Sequence, residues 1–428
     1  MYISRVVLQG IKGFQATELS FEGADGHPGW AVITGDNSAG KTALLRSIAL
    51  ALLGPDQLRT LAPDLRGWVT HGMSVGSISV EVRPNHDVDR TFKGGYPVQG
   101  TFWAEIEIVE ESGAWRAQPT DVFRNKRVSA VNGPWQETTS GWFMLGYGPF
   151  RRLTGSSPDA QRLMVLPGRI PRFATLFKED ATLAEGEEWL KQLQYRSLES
   201  KAEERETLNT FLDFAGDAFL RQSVRIERVD SDGVWLRDIA GQVIPLADMS
   251  EGYRSTLAML IDIFRHMAAA YGLKGLVEKT NGQKQVVRPG VVLIDEIDAH
   301  LHPQWQREIG FWLKNHFPNV QFIVTTHSPI VCQAADGGRI YHIPTDRGEI
   351  GAFRLSTEDF RRVVAGRPDE ILVSPAFGLD HTRSAAVVRG RQRHSQLLAR
   401  KRSLGELSRD EEQEYEQLSF ALFDEAEG

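Results

Sequence analysis

What most narrows the folds open to this chain is residues 35–42, GDNSAGKT, because of what flanks them. Residues 30–34 (WAVIT) form an apolar strand pattern just before, and residues 43–53 form an apolar run at helix spacing just after, stopped by Gly54 and Pro55. Strand, glycine-bounded loop and helix is the context that a G-x-x-x-x-G-K-[ST] match requires. Gly35 and Gly40 let the backbone fold into a nest of N–H groups, with Asn37, Ser38 and Ala39 between them and Ala43 opening the helix. The helix start adds positive potential, Lys41 supplies a point charge for β and γ phosphates, and Thr42 offers a hydroxyl to Mg²⁺. The bland alternative is a chance match in a glycine-containing loop, and the flanking elements argue against it. The segment is read as a nucleoside triphosphate site.

A second stretch, residues 291–306 (VVLIDEIDAHLHPQWQ), carries a different signal. Its four opening apolar residues suit a strand covered on both faces, as in parallel sheets of α/β proteins. Asp295 and Glu296 then fall at the carboxyl end of the strand, where open α/β sheets place ligands. Two carboxylates there are costly unless a metal, a cation or a bound water uses them. Taken alone, an acidic turn closing a strand explains them as well. Residues 320–324 form another strand pattern, ending in TTHSP with His327 just past its end. A lone histidine is more often structural, but one on the sheet edge of a triphosphate site is less innocent. Further upstream, Ser250, Glu251 and Gly252 open an amphipathic helix with Leu257, Leu260, Ile261 and Phe264 on its apolar face. Ser250 is most simply an N-cap, worth ~1 kcal/mol, and the same helix start is an anion site.

The remainder is less specific. A length of 428 residues allows two or three core-bearing units, and 41% hydrophobic with 25% charged residues is an ordinary soluble composition. The net charge of -7 gives no global attraction to a polyanion, so any nucleic-acid contact needs a local basic patch. The single cysteine, Cys332, excludes an internal disulfide and a cysteine-rich zinc site, and fits a reducing cytoplasm. With no signal peptide and no bilayer-spanning run, a cytoplasmic protein is expected. Residues 77–83 and 101–109 alternate as an antiparallel piece, and 142–146 is an apolar strand followed by Arg151 and Arg152. That arginine pair faces a phosphate or a partner carboxylate, or is simply solvated; the sequence leaves both open. Residues 183–219 read as one or two charged helices forming a small lid, 223–228 with 234–237 as a hairpin, and 272–290 as a mobile loop. A strand pair is expected near 339–343 and 351–355, followed by less regular sequence. Residues 383–402, with seven Lys or Arg, precede the mainly acidic 406–427; a self-complementary helical hairpin is the plain reading and a partner or nucleic-acid arm the sharper one.

With these pieces in order, the chain resembles the ATP-binding-cassette ATPases of the RecF, SMC and OLD grouping, over residues 1–60 and 240–345. GDNSAGKT is similar to the Walker A loop, MSEGYRS at 249–255 to the cassette signature, VVLIDE to Walker B, DAHLHP to the D-loop and TTHSP to the switch-histidine segment. The resemblance implies an α/β fold: a P-loop NTPase, ABC-type head with a mixed sheet, an antiparallel β subdomain and a helical lid subdomain. It divides the chain into residues 1–150 and 241–350 for the two parts of the head, 151–240 for the lid and hairpin insertion, and 351–428 for a charged helical extension. It also implies a head-to-tail homodimer, open to growth into a larger oligomer, with ATP held between Walker A of one subunit and Ser250 and Gly252 of the other. In that scheme Lys41 holds phosphates, Thr42 and Asp295 serve Mg²⁺, Glu296 polarises the attacking water, His327 touches the γ-phosphate and Asp298 signals across the interface. Two departures stand out: Tyr147 and Gly148 occupy the place of the family's Q-loop glutamine, and Met249 replaces a leucine. No acidic D-x-D strand end follows His327, so a fused nuclease is not expected. The resemblance leans towards Septu-type and retron-associated anti-phage ATPases: an ATP-driven switch working with a separate effector such as a nuclease, DNA being a candidate partner and a membrane not. A RecF-like repair ATPase is the near alternative, and a transporter cassette or a non-hydrolysing scaffold a more distant one. His300 and His302 are left to D-loop packing or an interface.

Overall fold

The computed structural model describes residues 1–22, 29–91, 100–120, 130–153, 155–199, 201–218, 224–238, 240–345 and 351–423. The chain opens with β1 (Tyr2–Ile11) and β2 (Phe14–Ser20), an antiparallel pair. It then leaves that pair for β3 (Trp30–Gly35), followed by α1 (Lys41–Leu53) and α2 (Pro55–Leu61). β4 (Val75–Arg83), β5 (Phe102–Glu111) and β6 (Ala114–Pro119) return to the first pair and complete an antiparallel sheet in the order β2-β1-β4-β5-β6. The alternation read from the sequence is one of burial: Ile78, Val80 and Val82 on β4 and Ala104, Ile106 and Ile108 on β5 face inward.

β7 (Met144–Tyr147) enters a second sheet, and the short helices α3 (Pro158–Met164) and α4 (Ala174–Phe177) follow it. The expected lid region forms two helices, α5 (Ala184–Leu198) and α6 (Ala202–Ala218), then a small sheet of β8 (Arg225–Asp230), β9 (Gly233–Arg237) and β10 (Val243–Pro245). After α7 (Glu251–Tyr271) the chain makes a second hairpin, β11 (Val277–Thr280) and β12 (Gln283–Val286). β13 (Gly290–Ile294), α8 (Pro303–His316), β14 (Val320–Thr325), the one-turn α9 (Pro329–Cys332), β15 (Arg339–Ile343) and β16 (Phe353–Arg354) finish the core, with α10 (Thr357–Ala365) and α11 (Pro368–Leu372) packed behind.

Among the described residues the second sheet has the order β16-β15-β3-β14-β13-β7, parallel throughout except for β16 at its edge. Its inner strands β3, β14 and β13 are covered on both faces. Ala31 and Ile33 of β3, Val291 and Leu293 of β13 and Ile323 of β14 enter the core shared with the antiparallel sheet. Their neighbours Val32, Val292, Ile294, Phe322 and Val324 enter the core shared with α7 and α8. Two-faced burial explains why these strands read as unbroken apolar runs rather than as alternating ones. α1 lies between the two sheets, and is buried nearly all round from Leu44 to Leu53, as a helix without a polar face must be.

Three expectations change. Residues 272–290 are not a loop: β11 and β12 pair through the turn at Asn281 and Gly282, both at positive φ, the backbone a tight hairpin requires. Beyond residue 355 the chain is regular. Val363 of α10 and Ile371 of α11 are fully buried, so the first compact unit runs from Met1 to Phe377 rather than stopping at 350. The second unit, Gly378–Gly428, contains α12 (Ala385–Leu404) and α13 (Arg409–Phe423). Arg393 with Glu414, Arg400 with Glu411 and Lys401 with Glu412 tie these helices into an antiparallel hairpin, and His394 stacks on Tyr415 with 4.7 Å between centroids. Most of its surface is exposed, so each ion pair adds little on its own.

Candidate active site

The loop from Asp36 to Gly40 is held by its ends. Gly35 closes β3, and Gly40 stands at the N-cap of α1 with φ 103, a conformation that a Cβ would strain. Ala39 is buried and its N–H turns back to the Asp36 carbonyl at 3.1 Å, while Asn37 and Ser38 are exposed along the rim. Lys41, 6% exposed, curls over the loop and donates to the carbonyls of Gly35 at 2.8 Å and Asp36 at 2.9 Å. Burial pulls the Lys41 ammonium below its ordinary range, and Asp295, Glu296, Asp36 and Asp298 oppose that pull.

The carboxylates come from the adjoining strands. Asp295, 1% exposed, accepts from the Thr42 hydroxyl at 2.6 Å through one oxygen and from the Thr325 hydroxyl at 2.6 Å through the other. Thr325 also accepts from the Glu296 N–H at 2.7 Å, so one buried hydroxyl joins both acidic residues to the end of β14. Next to it, Thr326 donates to Asp298 at 2.5 Å and Ser328 donates to Gln306 at 2.7 Å. The threonines thus occupy the acids, and His327 between them lines the cleft together with Glu296. Glu296 has φ 45 and His300 φ 63, left-handed conformations that cost of order 1–3 kcal/mol each unless the surroundings hold them.

The cleft encloses about 510 Å³ and brings Asn37, Ser38, Gly40, Lys41, Thr42, Ala43, Glu296 and His327 onto one surface. Gly35 and Ala39 support the loop from beneath, and Asp295 and Asp298 sit behind the wall on their threonines. Ser250 and Gly252 do not line it. Ser250 is at the N-cap position of α7, exposed, with no side-chain capping bond, so capping is not what its hydroxyl does. A Cβ on Gly252 would lie 2.6 Å from the His300 carbonyl, so the start of α7 rests directly on the turn after Walker B. His302 is the residue that does cap: its Nδ1 accepts from Gln304 N at 3.3 Å at the start of α8. Among the described residues no group of three His, Cys, Asp or Glu side chains is placed to hold a metal. The hard oxygens of Thr42 and Asp295, converging beside the glycine loop, are of the kind that would suit Mg²⁺.

Several residues at the site are not singled out by sequence. Lys12, Arg46, Asp64, Trp68 and Phe177 also line the same cleft. Lys12 lies 5.1 Å from the Trp68 ring, Trp68 and Phe177 are 6.4 Å apart and the Arg46 guanidinium is 5.8 Å from Phe177, a cationic and aromatic wall. Tyr147, in place of the Q-loop glutamine, donates its hydroxyl to buried Asp262 of α7 at 2.8 Å, which Arg265 also contacts at 2.6 Å. Arg152 is exposed beside Phe150, but Arg151 is 3% exposed and its hydrogen bonds end on the backbone carbonyls of Gly148, Asp295 and Glu296. Burial pushes its guanidinium down to about 10, with Asp295, Asp298 and Glu296 pulling the other way, so it stays charged at neutral pH.

Comparison with known proteins agrees with this geometry. A family model described as "AAA domain, putative AbiEii toxin, Type IV TA system" matches residues 167–332, and an "AAA domain" model matches residues 5–134. The chain is 26% identical over 341 residues to the Septu protein PtuA of Bacillus mycoides, covering 79% of this chain and 40% of that protein. It is 40% identical over 98 residues to the Retron Ec83 probable ATPase of Escherichia coli, covering 23% of this chain and 17% of that protein. The chain therefore spans less than half the length of either relative. Among solved structures, an Smc head domain with an extended coiled coil from Pyrococcus furiosus aligns with TM-score 0.45 and 17% identity, over 85% of this chain and 98% of that one. Two AAA-domain models thus each match a part of this chain, and its sequence relatives include a Septu protein PtuA and a retron probable ATPase.

Proposed function

We propose that this chain binds and hydrolyses Mg²⁺-ATP and uses the cycle as a conformational switch. The observation that carries this reading is the hydrogen-bonded run Thr42, Asp295, Thr325 and Glu296, which joins the phosphate loop to two carboxylates with His327 on the same cleft wall. Thr42 and Asp295 would hold Mg²⁺, which would supply positive charge to offset that of the triphosphate. Lys41 gives up its two loop carbonyls for phosphate oxygens, the N–H groups from Asn37 to Thr42 surround them, and Glu296 takes a proton from the attacking water. His327 contacts the γ-phosphate, and the aromatic wall at Trp68 and Phe177 receives the nucleoside end.

The exposed, non-capping Ser250, outside its own chain's cleft, supports a second step: the signature at Ser250 and Gly252 closes on the nucleotide of another subunit, with Asp298 at that boundary. ATP then holds a head-to-tail homodimer together and hydrolysis releases it. The likeness to Septu and retron ATPases supports a place in prokaryotic anti-phage defence, in the cytoplasm, with a separate effector protein such as a nuclease and with DNA as the candidate trigger. Among the described residues no helix is long and apolar enough to cross a membrane. The test is direct. Glu296→Gln should bind ATP, lose turnover by at least about 100-fold and run as a dimer on size exclusion in Mg²⁺-ATP, and Lys41→Ala should lose nucleotide binding. A Glu296→Gln protein that stays monomeric with ATP bound overturns the dimer. Unchanged affinity in Lys41→Ala overturns the site.

A further inference from the structure

Assigning Asp295 and Glu296 to metal and water leaves open what holds their backbone. The turn after β13 places Glu296 at φ 45, a conformation that a non-glycine residue keeps only when its neighbours fix it. The groups that fix it are countable. The Glu296 N–H is taken by Thr325, and its carbonyl accepts from Arg151 Nη2 at 3.1 Å. Arg151 Nη1 donates at 2.9 Å to both the Asp295 and the Gly148 carbonyls, and Nη2 reaches the Ile297 carbonyl at 3.5 Å. Buried arginines ordinarily end on a carboxylate. This one spends its planar fork on three successive carbonyls of the acidic turn, while its charge faces Asp295, Asp298 and Glu296.

We propose that Arg151 is a positioning residue for ATP hydrolysis, clamping the backbone of residues 295–297 so that the Glu296 carboxylate is aimed into the cleft. The inference rests on the ATPase reading above. Its other anchor is Tyr147, four residues earlier, whose hydroxyl is bound to Asp262 on α7. The end of β7, four residues before Arg151, is therefore fastened to α7. Arg151 touches no phosphate-loop residue in its hydrogen bonds, so its loss should slow the chemical step and spare binding.

The experiment compares Arg151→Ala and Arg151→Lys with the wild-type chain, measuring phosphate release against ATP concentration and nucleotide affinity by titration calorimetry. Arg151→Ala should lower kcat by about 100-fold with KM and Kd changed less than about threefold, because the turn loses its clamp and the phosphate loop does not. Arg151→Lys keeps the charge without the fork and should lose about 10-fold. Guanidinium at low millimolar concentration should restore part of the activity of Arg151→Ala and none of that of Arg151→Lys. Wild-type kcat in folded Arg151→Ala overturns the proposal. So does a fall in kcat that guanidinium leaves unchanged. If the alanine variant does not fold, the kcat and KM of the lysine variant decide: a loss confined to KM overturns the proposal, and a loss confined to kcat supports it. Absence of turnover in the wild-type chain would instead remove the ATPase reading, a separate failure.

Discussion

Replacing Thr325 by valine keeps the shape of a β-branched strand residue and removes one hydroxyl. In the fully buried site that hydroxyl donates to Asp295 at 2.6 Å and accepts from the Glu296 N–H at 2.7 Å. A hydrogen bond to an ionised group is worth ~1.5–3 kcal/mol. If that amount is lost wholly from the transition state, because Asp295 and Glu296 drift from their places, turnover falls by about 10- to 150-fold. The phosphate loop is built by β3 and α1 and keeps its own contacts, so ATP affinity should stay within about threefold. Thr325→Ser retains the hydroxyl and should retain most of the activity. Steady-state phosphate release over a range of ATP concentrations, with a thermal melt of each variant, reads all three quantities. A valine variant with the rate and affinity of wild type would refute the claim that this hydroxyl ties the two acids into one working unit.

Two further outcomes follow from the network behind the site. Tyr147→Phe removes the hydroxyl bound to the Asp262 carboxylate and should cost ~1.5–3 kcal/mol, roughly 2–4 °C for a unit of this size; an unchanged melting temperature would contradict the bond. His266 is held down to about 4 by burial, against the pull of Asp262, whereas an unfolded imidazole titrates near 6.5. The folded chain thus keeps it neutral, and its contribution is complete above pH ~6.5 and is lost as the unfolded state takes up protons below that. Between pH 6.5 and 5 the loss from this group should approach about 2 kcal/mol, and His266→Gln should flatten that part of a denaturation profile measured against pH. A wild-type profile equally flat over that range would count against it.

The parts of this molecule legible in its sequence are those whose signal is local. The β3, α1, β13 and β14 segments announce themselves because two-faced burial writes unbroken apolar runs, and Thr42 and Asp295 stand out by position, one after a glycine loop and the other at a strand end, where the structure brings them within 2.6 Å. Other features carried a signal that composition obscured. The β11–β12 hairpin has almost no buried face to generate alternation, and only the Asn281–Gly282 pair marks its turn. Thr325 looks like any strand-end threonine until a partner about thirty positions away gives its hydroxyl a task. Arg151 is the hardest case, since a charged residue in a loop is solvated by default, and nothing nearby in sequence discloses that carbonyls at 295–297 enclose it. Ser250 illustrates the converse: local rules predicted a cap, and the exposed hydroxyl makes no capping bond.

The order of strands in the parallel sheet sets a timetable for the newborn chain. The strand that carries the phosphate loop is made within the first 35 residues, yet its two sheet neighbours are β14 and β15, the second of which ends at Ile343. At ~5–20 residues per second, translation leaves that strand without either neighbour for roughly 15–60 s. The antiparallel sheet formed by β1, β2, β4 and β5 can assemble in the meantime, since all four lie before Ser112. A chain interrupted between Ser112 and Ile343 would thus have the strands of the antiparallel lobe without the complete parallel sheet around β3. On the proposed function, competence to hold ATP then arrives late in synthesis, and unfinished copies lack the sheet that would support it.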